Sequence, residues 1–211
     1  IMAAAIGARL PVQDASGSML INMGGGKTEI AVISLHGVVI WKSLKIAGED
    51  LSKNIIQYAR DHFNLLIGEK IAEQIKIKVG SSHEQGESIS IEMRGRDLIT
   101  GLPREIMIND YQVREALAST VNQVVDSIKS VLEITPPELV ADIYERGIIL
   151  CGGGSLLRGI EKTISKETEI PVRIADDPTT CTIRGINLLL DDEKLLEQVL
   201  LPSANEEKMV R

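Results

Sequence analysis

Two rhythms of apolar and polar positions run along this chain. Short β-branched runs at 18–23, 28–35 and 38–46 are separated by a glycine turn at 24–27 and a tight turn at His36-Gly37. Runs of this kind, bounded by such turns, predict a meander of antiparallel strands. The rhythm then lengthens. Leu51, Ile55, Tyr58 or Ala59, His62 or Phe63, and Leu66 recur at helical spacing, and 69–79 predicts a second helix closed by Gly80. Residues 81–87 are polar and loop-like, 88–93 alternate as a strand, and Gly101-Leu102-Pro103 turns into a strand over 104–108.

Asn109 and Gln112 carry the residue types of a helix capping box. Beyond them Val113, Leu117, Val121, Val124 or Val125, Ile128 and Leu132 share one face of a long amphipathic helix. Thr135-Pro136-Pro137 ends it, and Pro137 suits the first turn of the next short helix. A buried strand over 147–151, a helix over 155–166, a strand over 172–175 and a last helix opened by Asp177-Pro178 and running to about 190 complete the pattern. At the start, 2–9 predicts a short helix that Pro11 stops; the polar tail from Pro202 is expected to be mobile. The fold class is α/β: a block of antiparallel strands, one strand–glycine–helix unit, and an insertion over roughly 81–110 with its own small sheet.

Two glycine triplets end strand-like runs far apart in the chain. Gly24-Gly25-Gly26-Lys27-Thr28 follows the first strand, and Gly152-Gly153-Gly154-Ser155 follows Cys151. Consecutive glycines bring bare N–H groups close to a ligand and form an anion-binding concavity. Either triplet alone reads as a turn; the pair points to a nucleotide gripped from two sides. Gly26-Lys27-Thr28 imitates a P-loop, but the spacing needs glycine at Ile21 and a helix after the lysine, where a strand is predicted. The second triplet precedes a predicted helix, whose positive end would face a sugar or α-phosphate; close strand–helix packing is its structural alternative.

The net charge of −7 and pI of about 5.1 argue against nucleic acid, which requires clustered Lys and Arg. With 2% aromatics the core must be aliphatic. Cys151 and Cys181 are too few for a disulfide framework and fit a reducing compartment. The three histidines, His36, His62 and His83, are scattered and expected at the surface. No run of apolar residues is long enough to span a membrane. The chain opens on Ile1 rather than Met, which suggests an internal fragment or an incomplete gene model.

These segments resemble the MreB family of bacterial actin homologues. The resemblance runs from Met2 to about Gly185 and is strongest at 24–35, 94–98, 136–139 and 145–158. It implies an incomplete actin-like (ribonuclease H-like) fold, mainly the second lobe with a small inserted α+β subdomain. Residues 1–17 would be a remnant of the first lobe, 18–80 and 111–190 the main subdomain, 81–110 the core of the insertion (the helices of 51–80 falling to either), and 191–211 a C-terminal tail. The family implies ATP with Mg²⁺, weak or absent in this piece. It also implies self-assembly into filaments in the bacterial cytoplasm, peripheral to the inner face of the membrane, with wall-synthesis and membrane-linker partners. Residue by residue, Gly24, Gly25, Gly26 and Lys27 fall in the second phosphate loop. Glu73, Gln74, Ile75 and Lys76 fall where the family contacts ribose and adenine. Gly152, Gly153, Gly154 and Ser155 fall in the adenosine loop.

Departures from the family pattern bear on chemistry. Asn22 replaces the Asp that would hold hydrated Mg²⁺, and Lys27 replaces a Thr. Gln74 replaces an Arg, Ala47-Gly48-Glu49 stands for Gly-Gly-Asp, and Ile186-Asn187 replaces glycines. The family's first phosphate loop, catalytic Glu and membrane anchor precede the segment that starts at Ile1, so no catalytic residue is assigned here. Taken alone, the Glu73/Lys76 spacing describes a solvated ion pair on one helix face. The alternative to a filament ATPase is a truncated, non-catalytic scaffold with weak nucleotide binding.

Overall fold

The computed structural model describes residues 1–84, 86 and 88–200. The chain opens with α1 (Met2–Gly7) and then builds a five-stranded sheet. Strands β1 (Ser18–Met23), β2 (Thr28–Ser34) and β3 (Gly37–Leu44) form an antiparallel meander. Far along the chain, β7 (Ile148–Cys151) joins parallel to β1, and β8 (Val172–Ile174) joins parallel to β7, giving the order β3-β2-β1-β7-β8. Every residue of β2 is buried, as expected of a strand covered on both faces. The edge strand β3 alternates between half-buried and exposed positions.

Side chains alternate between the two faces of a strand, and this sorts the core. Met19, Ile21, Ile30, Val32, Ile148 and Leu150 face one layer of helices. This layer includes α2 (Gly48–Phe63), α3 (Glu69–Val79), α4 (Asp110–Glu133) and α6 (Ile160–Thr168). Leu20, Ala31, Ile33 and Cys151 face the other way, toward α1 and α7 (Cys181–Asp191). On that second face α1 and α7 cross backbone to backbone: a Cβ on Gly7 would overlap Cys181 O, and one on Gly185 would overlap Ala3 O.

Between α3 and α4 lie β5 (Ser90–Asp97) and β6 (Pro103–Asn109), and β4 (Leu65–Leu66) pairs with β5 to make a three-stranded sheet. Helical spacing had included Leu66 in α2. The helix instead stops at Asn64, whose left-handed backbone (φ 50°) caps it. Gly95 then lets β4 approach, because a Cβ there would lie 2.5 Å from Leu66 O. Strand β5 therefore runs on through 94–97, past the predicted end at 93. Leu65, Ile67, Met93 and Ile108 join the same apolar cluster as the main sheet, so one core runs under both sheets.

The capping box at α4 forms as the sequence predicts: Gln112 N donates to Asn109 Oδ1 at 2.9 Å and Asn109 N to Gln112 Oε1 at 3.0 Å. Helix α5 (Pro137–Arg146) starts on Pro137. Four expectations shift. The hairpin of β2 and β3 turns on Leu35 and His36, both at positive φ, and not on His36-Gly37. The helix expected over 155–166 is split: a 3-10 turn covers Gly153–Leu156, Gly159 turns left-handed (φ 76°), and α6 begins at Ile160. Residues 193–200, assigned to the tail, form α8 (Glu193–Leu200); the tail beyond Pro202 lies outside the described residues. Of the three histidines, only His62 is exposed. His36 is half-buried because the 10–14 segment closes on it, His36 N donating to Val12 O at 2.7 Å; His83 is half-buried too.

Candidate functional site

The turn joining β1 to β2 closes through Gly24 N to Lys27 O at 2.9 Å. The start of α2 is stapled onto this turn, Gly48 N donating to Gly24 O (3.1 Å) and Glu49 N to Gly25 O (2.8 Å). A helix leaves its first N–H groups without intrahelical partners, and here the glycine loop supplies them. The N–H groups of Gly25 and Gly26 have no acceptor among the described residues. A Cβ on either would meet only Glu49 Oε1, at 3.8 and 3.9 Å. This backbone is open to the cleft.

The second glycine loop lies beside the first because β7 pairs with β1, Asn22 against Cys151. Gly152 has φ 82°, and a Cβ on it would overlap Met23 O; one on Gly154 would lie 2.8 Å from Met23 Cβ. A Cβ on Gly153, between them, would meet nothing within 4 Å. Two of the three glycines thus serve packing and one faces open space. Ser155 is fully buried, and its Oγ donates to Gly152 O at 2.7 Å, which fixes the loop.

Helix α3 forms a third wall. Lys76 Nζ donates to Glu73 Oε2 (2.6 Å), Gly48 O (2.7 Å) and Ser52 Oγ (3.1 Å). All three ammonium donors are used, and the lysine side chain is 13% exposed while Glu73 stays half exposed, so the lysine end is held more firmly than in a solvated surface pair. Lys76 ties α3 to the first turn of α2, and through it to the glycine loop. Ser52 Oγ also reaches Glu73 Oε2 at 2.7 Å. Burial pushes the Glu73 carboxyl up, but the hydrogen bonds from Lys76 and Ser52 and the lysine charge outweigh it and hold it below the usual carboxylate value.

These walls enclose a cleft of about 370 Å³, within the range of small-ligand sites. Of the residues singled out from the sequence, Gly24, Gly25, Glu73, Lys76, Gly153 and Gly154 line it. The others stand back. Ile75 is in the core, Gln74 points to solvent, and Gly152 and Ser155 support the loop from behind. Lys27 pairs with Glu29 at 2.9 Å instead of lining the cleft. Gly26 borders the loop beside Glu49. The sequence marked Gly48 and Glu49 only as departures from the family pattern, and left Leu51, Ile77, Leu156 and Leu157 off the site. Gly48 and Glu49 carried a signal as the start of a helix after a strand; Ile77 and Leu156 are exposed apolar residues that only the fold brings to one lip.

Residues 1–198 match the family described as MreB/Mbl protein. The chain belongs to the MreB/Mbl family. Cell shape-determining protein MreB of Escherichia coli (strain K12) is 48% identical over 184 residues, covering 87% of this chain and 53% of that protein. The chain therefore spans about half the length of the MreB relatives it matches. The crystal structure of MreB5 of Spiroplasma citri bound to ADP superposes with TM-score 0.88 at 36% identity, over 90% of this chain and 58% of the other. The MamK double helical filament shares the fold alone, with TM-score 0.75 at 22% identity over 90% and 58% of the two chains. The fold is thus actin-like, as MreB membership implies.

The cleft fits a phosphate-bearing ligand, because methyl groups at Gly25, Gly26 or Gly153 would fill a cradle that is now open. Magnesium is held through carboxylates and its own waters; β1 ends near Asn22, a neutral amide whose Oδ1 accepts from Cys151 Sγ at 3.6 Å, so the carboxylates that the cleft offers are Glu49 and Glu73. Glu29 is taken by Lys27.

Proposed function

We propose that this chain is the nucleotide-holding lobe of an MreB-type cytoskeletal protein, which binds an adenine nucleotide and assembles into filaments that direct cell shape and wall synthesis. The observation that carries this is the meeting, in one cleft, of two glycine loops more than a hundred residues apart and the Glu73/Lys76 wall. The N–H groups of Gly25 and Gly26 suit the terminal phosphates, and the backbone at Gly153-Gly154 suits the inner phosphate or sugar. Glu73, kept ionised, is an acceptor for ribose hydroxyls. The apolar lip of Ile77 and Leu156 suits a purine face. Lys76 acts by position, holding α2 against the glycine loop. The S. citri MreB5 structures were obtained with ADP and with AMPPNP, which supports an adenine nucleotide as ligand.

The setting proposed is the bacterial cytoplasm, at the inner face of the membrane, with wall-synthesis and membrane-linker proteins as partners. Among the described residues no helix is long and apolar enough to cross a membrane. A second reading, a non-catalytic scaffold with weak nucleotide binding, is favoured by one observation: Asn22 and Glu29 are engaged with Cys151 and Lys27. Sedimentation and negative-stain electron microscopy of the purified chain separate the two. Filaments that require ATP support the first reading. Filaments of equal yield without nucleotide support the scaffold, and no assembly in either condition removes self-association from this chain.

A further inference from the structure

A second concavity, of about 540 Å³, runs along the edge strand β8, from Ser18 and Gly147 at the start of β1 and β7 to Ala175 and Asp176 just past the end of β8. Its floor is apolar, formed by Ala8, Leu10, Pro11, Ile149, Ile174 and Ala175. Three exposed arginines rim it: Arg9 where the chain leaves α1 with a left-handed backbone (φ 59°), Arg146 at the end of α5, and Arg173 on β8. Arg146 pairs with Asp14 at 3.2 Å, Arg173 Nη2 donates to Arg146 O at 3.3 Å, and Asp176 is the one acid in the lining. One wall is β8, an edge strand of the sheet. With Asp14 counted, three arginines stand against two carboxylates, so the rim keeps a net positive charge on a chain whose net charge is −7.

We propose that this groove docks an acidic segment of a partner protein, one with apolar residues between its carboxylates. Arginine forks suit carboxylates geometrically, and the β8 edge offers main-chain groups to an extended segment. The apolar floor argues for a peptide over a bare anion, which would leave it uncovered. The net negative charge of the chain argues against nucleic acid. The groove shares no lining residue with the glycine cleft, so this inference stands apart from nucleotide binding.

Fluorescence anisotropy tests it with the whole 211-residue chain and a short labelled peptide of alternating Glu and Val, against the same peptide with Lys for Glu. The acidic peptide is expected to bind, the basic one not, and the affinity should fall as salt rises. Charge reversal at two rim positions, Arg9→Glu with Arg173→Glu, should weaken binding roughly tenfold or more with an unchanged thermal midpoint. Should that variant fail to fold, the two peptides at low and high salt still decide the matter on the unaltered chain. Equal binding of both peptides, binding insensitive to salt, or no binding of either overturns the proposal. So does a dimer of this chain that the charge reversal dissolves, which would make a second copy the occupant.

Discussion

Gly152, Gly153 and Gly154 look alike in the sequence and differ in what they do. Gly152 holds φ 82° against the Met23 carbonyl, and Gly154 packs on Met23 Cβ. Alanine at Gly152 should cost about 2 kcal/mol or more, from backbone strain and overlap, read as a fall in the thermal midpoint. Alanine at Gly153 should leave the stability within ~0.5 kcal/mol of wild type, because its methyl enters open space. Lys76→Met should cost about 1–2 kcal/mol by urea unfolding, since it removes charge-assisted bonds to Glu73 and to the Gly48 carbonyl, which keeps Ser52 Oγ at 3.3 Å; the half of Glu73 that is solvated lowers the share due to that partner. The i,i+3 spacing of Glu73 and Lys76 was visible in the sequence. Their partners Gly48 and Ser52 were not, because they are set by how α2 packs on α3. Buried Cys151 has its thiol pushed up to about 12, by burial first and by the neighbouring Cys181 second. It should resist iodoacetamide at neutral pH in the native protein and alkylate on unfolding, as mass spectrometry would record.

At the scale of elements, what was legible follows local chemistry. The α4 capping box, the proline start of α5 and the meander of β1 to β3 were all written in neighbouring residues. The two-residue strand β4 and the break before α6 were not. Both depend on left-handed residues, Asn64 and Gly159, that sit inside runs of helical spacing. The turn after β5 gives a pH test. Asp97 accepts from the N–H groups of Thr100 and Ile99 and from Arg104, which lower its pKa to about 2 from 3.8. A carboxyl with a depressed folded pKa stabilises above its unfolded value and loses that contribution as pH falls through the folded one. Amide exchange at Ile99 and Thr100 should therefore quicken as pH drops from about 4 toward 2, after correction for intrinsic rates; a flat profile would count against that tie. At the crossing of α1 and α7, Gly185→Ala has no room to relax and should cost about 3 kcal/mol in urea unfolding.

For the whole molecule, the sheet order brings residues 24–26 and 152–154 together by setting β7 parallel to β1. The glycine spacing in the chain hinted at such a site; only the β1–β7 pairing closes it. The cleft depends on one continuous core beneath both sheets, so its walls should hold or fail as a unit. The account rests on that cleft holding an adenine nucleotide. Calorimetric titration of ADP into the purified chain, and into its Gly153→Ala variant, tests this most directly. The account predicts one site per chain, with the variant weakened roughly tenfold or more at an unchanged thermal midpoint. No measurable binding, or equal affinity in both proteins, would contradict it.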